Sequence, residues 1–71
     1  MSAEFDYDPS TDSLYIKLRP GSSVDNRIVG DEVVIDVGVD GEPVGYDIQH
    51  ASRHPEAIAE ALGYLHERHA A

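Results

Sequence analysis

Apolar and polar residues alternate with a period of two through most of the first ~50 residues, which restricts the chain to a fold built on β-strands. The alternation is clearest over residues 14–18, 33–39 and 44–48. In each segment every second side chain is apolar, so one face of the strand can pack in a core while the other meets solvent. Turn-forming residues separate the segments, which predicts short connections between strands.

Five strands are expected over about residues 3–49. The third, at residues 24–29, has the weakest pattern because polar and charged residues at 25–27 interrupt it, and such residues suit the edge of a sheet. Asp40-Gly41 predicts a tight hairpin of type I′ between the last two strands, with a positive φ at Gly41.

One helix is expected over about residues 54–69. Pro55 suits the first helical turn, where its missing N–H is not needed, and Ser52 or His54 would then be the N-cap. A single apolar stripe is formed by Ile58, Ala61, Leu62 and Leu65. Gly63 weakens the helix by about 1 kcal/mol relative to alanine. It would also allow close packing on the sheet or across an interface.

Strands followed by a helix predict an α+β fold in a single domain, residues 1–71. The architecture expected is a four- or five-stranded antiparallel meander with one C-terminal helix. The side chains expected to face inward are those of Phe5, Tyr7, Leu14, Ile16, Leu18, Val33, Ile35, Val37, Val44, Tyr46 and Ile48.

Acidic residues outnumber basic ones by 14 to 5, and the formal net charge is -9. Nucleic acids and anionic membranes are disfavoured as partners, because binding to them depends largely on lysine and arginine. A small basic protein is a compatible partner, since opposite charge speeds encounter. The chain has no cysteine, which excludes a disulfide framework and a thiolate metal site. No apolar run resembles a signal segment or a membrane span, so the expected location is the cytoplasm.

One set of turn and strand residues recurs through the predicted sheet, namely Tyr7, Asp8, Pro9, Asp12, Leu14, Tyr15, Ile16, Leu18, Asp36, Asp40, Gly41, Val44, Gly45 and Ile48. As a set, these residues resemble the pattern of a small bacterial family known as domain of unknown function 2283. The resemblance covers roughly residues 5–52 and departs from the family pattern at residues 46–49. It implies a small antiparallel sheet with a C-terminal helix, with no established activity and no catalytic residues. Some members lie beside a small toxin-like protein, which implies an antitoxin-like or partner-binding role.

Two acidic pairs are candidates for chemistry. Asp36 and Asp47 face outward on adjacent strands, and paired carboxylates can serve acid–base catalysis or bind a metal. A solvated sheet face explains the same pattern and is the favoured interpretation. Asp8 and Asp12 could supply oxygens to a cation, although an Asx-turn at Asp8 is favoured there.

Histidines cluster late in the chain, at His50, His54, His66 and His69. His66 and His69 share one helix face, and imidazoles at this spacing can hold a transition metal when a third ligand joins them. The sequence offers no obvious third ligand, so polar residues near a helix end are the favoured interpretation. We therefore assign no catalytic residue, metal ligand or cofactor.

Self-association is expected because one helix is too narrow to cover a five-stranded apolar face. The chain is then a homodimer, and the residues expected at its interface are Tyr15, Leu62, Gly63 and Leu65. The favoured function is a small non-catalytic protein-interaction module, with antitoxin-like partner binding implied by the resemblance. The alternative is a metal-binding protein or enzyme that uses Asp36 and Asp47 or the late histidines.

Overall fold

The computed structural model describes residues 4–70, with side chains described as far as His66. Within this range the chain forms one antiparallel sheet followed by a short 3-10 turn and one α-helix, which confirms the α+β class. The elements are β1 Glu4–Asp8, β2 Ser13–Lys17, β3 Asp25–Val29, β4 Val33–Val37, β5 Pro43–Ile48, the 3-10 turn Ala51–Arg53 and α1 Pro55–Ala70. None of the helices in the described range is long and apolar enough to cross a membrane.

The strand order differs from the predicted meander. The sheet runs β1-β2-β5-β4-β3, so the last strand lies at its centre. β3, β4 and β5 follow one another as antiparallel neighbours, and the long connection after β2 lets β5 pair with β2 in a Greek-key relation. Burial gives the physical reason: β5 is almost wholly buried, whereas β1 and β3 are exposed at every residue and form the two edges.

The core lies between the central strands and α1. The predicted inward side chains on and beside β2, β4 and β5 are buried, except Leu14, which is partly buried. The helix contributes Ala57 and Ala61, whose small side chains are buried in the same cluster. The buried side of α1 therefore differs from the apolar stripe predicted from sequence. Leu62, which belongs to that stripe, remains 45% exposed.

Phe5 and Tyr7 were expected in the core, and this prediction is wrong. Their register places them opposite Ile16 and Leu14, on the helix side of the sheet. They nevertheless remain 55% and 50% exposed. A sheet of five strands is about 24 Å wide and a helix only ~10–12 Å across, so α1 covers the centre and leaves the β1 edge open.

The β4–β5 hairpin has the predicted positive φ at Gly41, at 83°, but its turn type is different. The N–H of Gly41 donates to the carbonyl of Gly38 at 3.0 Å, and the N–H of Gly38 donates to the carbonyl of Glu42 at 2.9 Å. These bonds define a three-residue loop whose last residue, Gly41, has a left-handed backbone conformation. A type I′ turn would also require a positive φ at Asp40. Arg19 stabilises the loop by donating to both Asp40 carboxylate oxygens, at 3.0 and 2.6 Å, and this contact lowers the pKa of Asp40 to about 2.

Candidate functional site

A groove of about 540 Å³ runs between α1 and the β3–β4 hairpin. It exists because α1 packs over the centre of the sheet and leaves edge strand β3 beyond its cover. Apolar side chains form the floor of this groove, from Val33, Ile35, Tyr46 and Ala57. Four carboxylates surround that floor, from Asp31, Glu32, Glu56 and Glu60.

The carboxylates come from two separate elements that face each other. Asp31 and Glu32 belong to the turn between β3 and β4, whereas Glu56 and Glu60 are one turn apart on the helix. Of the described residues that line the groove, His54 is the one that can carry a positive charge. The groove is therefore a site of negative potential above an apolar surface, which favours cationic ligands.

Tyr46 links the floor of the groove to its rim. Its ring is fully buried, and its hydroxyl donates a 2.5 Å hydrogen bond to Glu60. Burial raises the pKa of Tyr46, and the bond to the Glu60 carboxylate raises it further. Tyr46 is therefore a neutral donor that holds Glu60 in place at the edge of the groove.

A cluster of His50, Glu32 and His54 closes one end of the groove. Nε2 of His54 lies 2.8 Å from one Glu32 oxygen, and the other oxygen pairs with Nδ1 of His50. Nδ1 of His54 also lies 3.3 Å from Glu56. The hydrogen bond to Glu32 raises the pKa of His54, and the same contact lowers the pKa of Glu32. The cluster thus fastens the start of α1 to the β3–β4 turn.

The candidate histidines are only partly brought together. His50 and His54 meet through Glu32, whereas His66 is exposed on the helix and the side chain of His69 lies outside the described residues. No group of three or more histidine, aspartate or glutamate side chains in the described range has an arrangement that could hold a metal ion. Sequence reasoning missed Glu32, because it lies 18 and 22 residues from its two partners and no local motif connects them.

Asp36 and Asp47 lie on the sheet face away from the helix, which we call the outer face. Their register makes them diagonal neighbours, since Asp36 stands opposite Gly45 and Asp47 opposite Tyr15. Asp36 accepts a 2.9 Å hydrogen bond from the Tyr15 hydroxyl, and Asp47 accepts one from Gln49 at 3.1 Å. Burial and the Asp36 contact raise the pKa of Tyr15 to about 12. Each carboxylate thus has its own neutral donor.

The first turn shows the favoured Asx-turn at Asp8, whose carboxylate accepts from the N–H and hydroxyl of Ser10 at 3.0 and 2.7 Å. Asp12 has a different role. It accepts from the Tyr7 hydroxyl at 2.7 Å and from the Ser52 hydroxyl at 2.6 Å, which joins the first hairpin to the 3-10 turn. The Ser52 bond lowers the pKa of Asp12, so this carboxylate stabilises the fold.

The fold and groove define a small α+β domain with an acidic, apolar-floored groove beside its helix. Residues 4–52 match the model of a family described as "Protein of unknown function (DUF2283)". Because this match covers more than half of the 71 residues, the chain belongs to that family. The matched range contains all five strands but not α1, so the helical side of the groove lies outside it. No curated protein and no solved structure matches the chain.

Proposed function

We propose that this protein is a small non-catalytic interaction module whose groove binds a basic, partly apolar segment of another protein. The observation that carries the proposal is the combination of four carboxylates and an apolar floor in one groove. A ligand that satisfies both features presents lysine or arginine beside apolar side chains.

The two features have different roles in binding. Val29, which lines the groove and is 49% exposed, offers apolar surface that an incoming side chain can bury. The rim attracts cations, which speeds encounter and fixes the register of the bound segment. Glu32 and Glu60 are already held by His54 and Tyr46, so these acceptors need little reordering when a partner binds.

The contacts of the titratable groups support binding over catalysis. Tyr46 donates to Glu60, and Glu32 is shared between two histidines, so these groups fasten the helix to the sheet.

The partner belongs to a defined class under this proposal. It is a small basic protein of the bacterial cytoplasm, and the family resemblance favours a toxin-like protein that the groove would hold in an antitoxin-like complex. Nucleic acid is disfavoured, because the acidic rim repels phosphate.

The direct test is titration calorimetry with two synthetic peptides, one alternating lysine and leucine and one alternating glutamate and leucine. We expect the lysine peptide to bind, its affinity to fall with added salt, and the glutamate peptide not to bind. The double variant Asp31→Asn/Glu56→Gln should weaken binding and reduce its salt dependence, since it removes two of the four carboxylates that line the groove.

The matched control is Asp6→Asn/Glu42→Gln, which removes the same two charges from exposed positions away from the groove. It should bind the lysine peptide as the wild type does. Equal loss of affinity in both double variants would show only a general charge effect, and binding of the glutamate peptide with equal affinity would refute the proposal.

A further inference from the structure

His54 lies in the groove between two carboxylates that come from different elements. Its Nε2 is 2.8 Å from Glu32 of the β3–β4 turn, and its Nδ1 is 3.3 Å from Glu56 in the first turn of α1. All three residues line the groove. The side chain of His54 is 24% exposed, so it can exchange a proton with water at the surface that a ligand would contact.

The protonation state of His54 decides how many of these contacts are hydrogen bonds. An imidazolium has a hydrogen on each ring nitrogen, so it donates to Glu32 and Glu56 at once. A neutral imidazole has a hydrogen on one nitrogen and a lone pair on the other. Loss of the proton therefore leaves one of the two carboxylates facing a lone pair, without a donor from the ring.

The same proton changes the charge of the groove. Protonated His54 offsets one of the four carboxylates among the lining residues, and neutral His54 offsets none. A lysine or arginine that enters beside Glu32 is repelled by the imidazolium and competes with it for the same acceptor. The neutral ring removes both obstacles.

We propose that His54 is a pH-dependent switch on ligand binding in the groove. Its imidazolium occupies the carboxylates of Glu32 and Glu56, and its neutral form releases them to the lysine or arginine of a basic segment. This inference rests on the proposed function, because it concerns the regulation of the same site. Affinity for a basic segment then rises as pH rises through the titration of His54, and binding releases a proton to solvent.

The groups that face His54 favour this role. The hydrogen bond to Glu32 raises the pKa of His54, desolvation opposes that rise, and the contact with Glu56 adds to it. Asp31 in the turn and Glu60 on the helix are the other carboxylates that line the groove on these two elements. A cation that displaces the ring from Glu32 removes the main cause of the raised pKa, so the ring loses its proton.

His50 shares Glu32 but is not among the described residues that line the groove. Its Nδ1 pairs with the second oxygen of Glu32, and its side chain is 50% exposed. Its charge also acts on Asp12 of the first hairpin. Arg53 of the 3-10 turn precedes His54 in the chain and is exposed. Separate variants of the two histidines therefore distinguish a switch at His54 from an effect of His50.

The switch and the fold respond to pH in opposite directions. Deprotonation of His54 weakens the contact that fastens the start of α1 to the β3–β4 turn. A purely structural role would therefore weaken binding at high pH, as the two walls of the groove separate. The switch instead strengthens binding over the same range, so the sign of the pH dependence separates the two roles.

Titration calorimetry with the alternating lysine–leucine peptide tests the switch between about pH 5.5 and about pH 8, the range in which histidines titrate. The peptide ends are acetylated and amidated, and circular dichroism checks the fold at each pH. We expect the affinity to rise with pH, by about tenfold for each unit by which the peptide lowers the pKa of His54. Buffers of different ionisation enthalpy should reveal net proton release on binding.

Three histidine variants assign the effect. His54→Gln should bind the peptide with nearly constant affinity across the range, because the titrating ring is gone. His66→Gln is the matched control, since His66 is exposed on the helix and is not a described lining residue, and it should keep the rise. His50→Gln should also keep a rise of the same sign. If His54→Gln does not fold, the shift of the His54 ring protons with pH in the wild type replaces it, and bound peptide should lower that pKa.

Folded wild type that binds the peptide equally at both ends of the pH range, or more weakly at high pH, would overturn the switch and leave the groove proposal standing. A rise that persists in His54→Gln, or a His54 pKa that bound peptide leaves unchanged, would also overturn it. Absence of peptide binding at every pH would refute the proposed function and the switch together.

Discussion

Tyr15 crosses directly over Gly45, and a β-carbon at Gly45 would overlap the tyrosine hydroxyl oxygen. The crossing lets the hydroxyl reach Asp36 on the far side of the central strand, at 2.9 Å. Three strands of the outer face are thereby joined through one side chain. The absence of a side chain at Gly45 is what permits this arrangement.

Gly45→Ala should lower the free energy of unfolding by about 1–3 kcal/mol, as overpacking commonly does. The added methyl group forces Tyr15 to move and lose its bond to Asp36. Urea unfolding measures the change. In a Tyr15→Ala background the same substitution should cost much less, and an undiminished cost there would show that Tyr15 is not the obstacle.

Gly63→Ala should raise the free energy of unfolding by about 1 kcal/mol. A β-carbon at Gly63 meets no atom within 4 Å, so the gain in helix propensity is not opposed by a clash. The sequence-based prediction that this glycine allows close packing on the sheet is therefore wrong. A lower melting temperature in the alanine variant would instead indicate a close contact at Gly63.

Gly41→Val should lower the free energy of unfolding by at least ~1 kcal/mol, because a β-branched residue resists a positive φ. Steric overlap with neighbouring atoms is not the cause, since nothing lies within 4 Å of a β-carbon at this position. Gly41→Asn should cost less, because asparagine tolerates the left-handed region. Equal melting temperatures for the valine variant and the wild type would contradict the turn assignment.

Stability should depend on pH through His54 and Glu32. Because the pKa of His54 is raised above its ordinary value of 6.5, the stability from its contact is fully present below that value and is lost as pH rises through the folded-state pKa. The pKa of Glu32 is lowered from 4.5, so its contribution is present above that value and is lost as pH falls through the folded-state pKa. Both contributions to stability are therefore present between pH 4.5 and pH 6.5, the ordinary values of the two groups.

His54→Gln should therefore remove much of the decline in urea midpoint that we expect for the wild type as pH rises above 6.5, the ordinary histidine value. The matched control is His66→Gln, because His66 is exposed and should leave that decline in place. A decline that persists unchanged in His54→Gln would mean that another group produces it.

Local sequence patterns predicted the elements of this fold, because each depends on neighbouring residues. The strand at residues 43–48 and the helix from Pro55 both follow from periodicity and turn chemistry. Strand order could not be predicted in the same way, since Ile16 pairs with Tyr46 across 30 positions of the chain. Alternation also identified the face of Phe5 correctly, but it contains no information on how far a helix will cover that face.

The candidate site was less accessible to sequence reasoning than the fold. The acidic excess was compatible with a basic partner, yet it did not show which of the 14 carboxylates share a groove. Glu32 and Glu60 come together only because the β3–β4 turn and the helix approach each other in space. The late histidines were identified as a group, whereas the contact that His50 and His54 share with Glu32 depends on tertiary structure.

Amide chemical-shift mapping locates the bound peptide on the protein surface and so tests whether the groove binds a basic, partly apolar segment. Wild-type protein labelled with ¹⁵N would be titrated with the alternating lysine–leucine peptide. We predict that the largest shifts fall on residues of the groove, among them Glu32, Val33 and Ala57, and that amides around Tyr15 on the outer face stay unchanged. Shifts concentrated on the outer face, or none at saturating peptide, would refute binding in the groove.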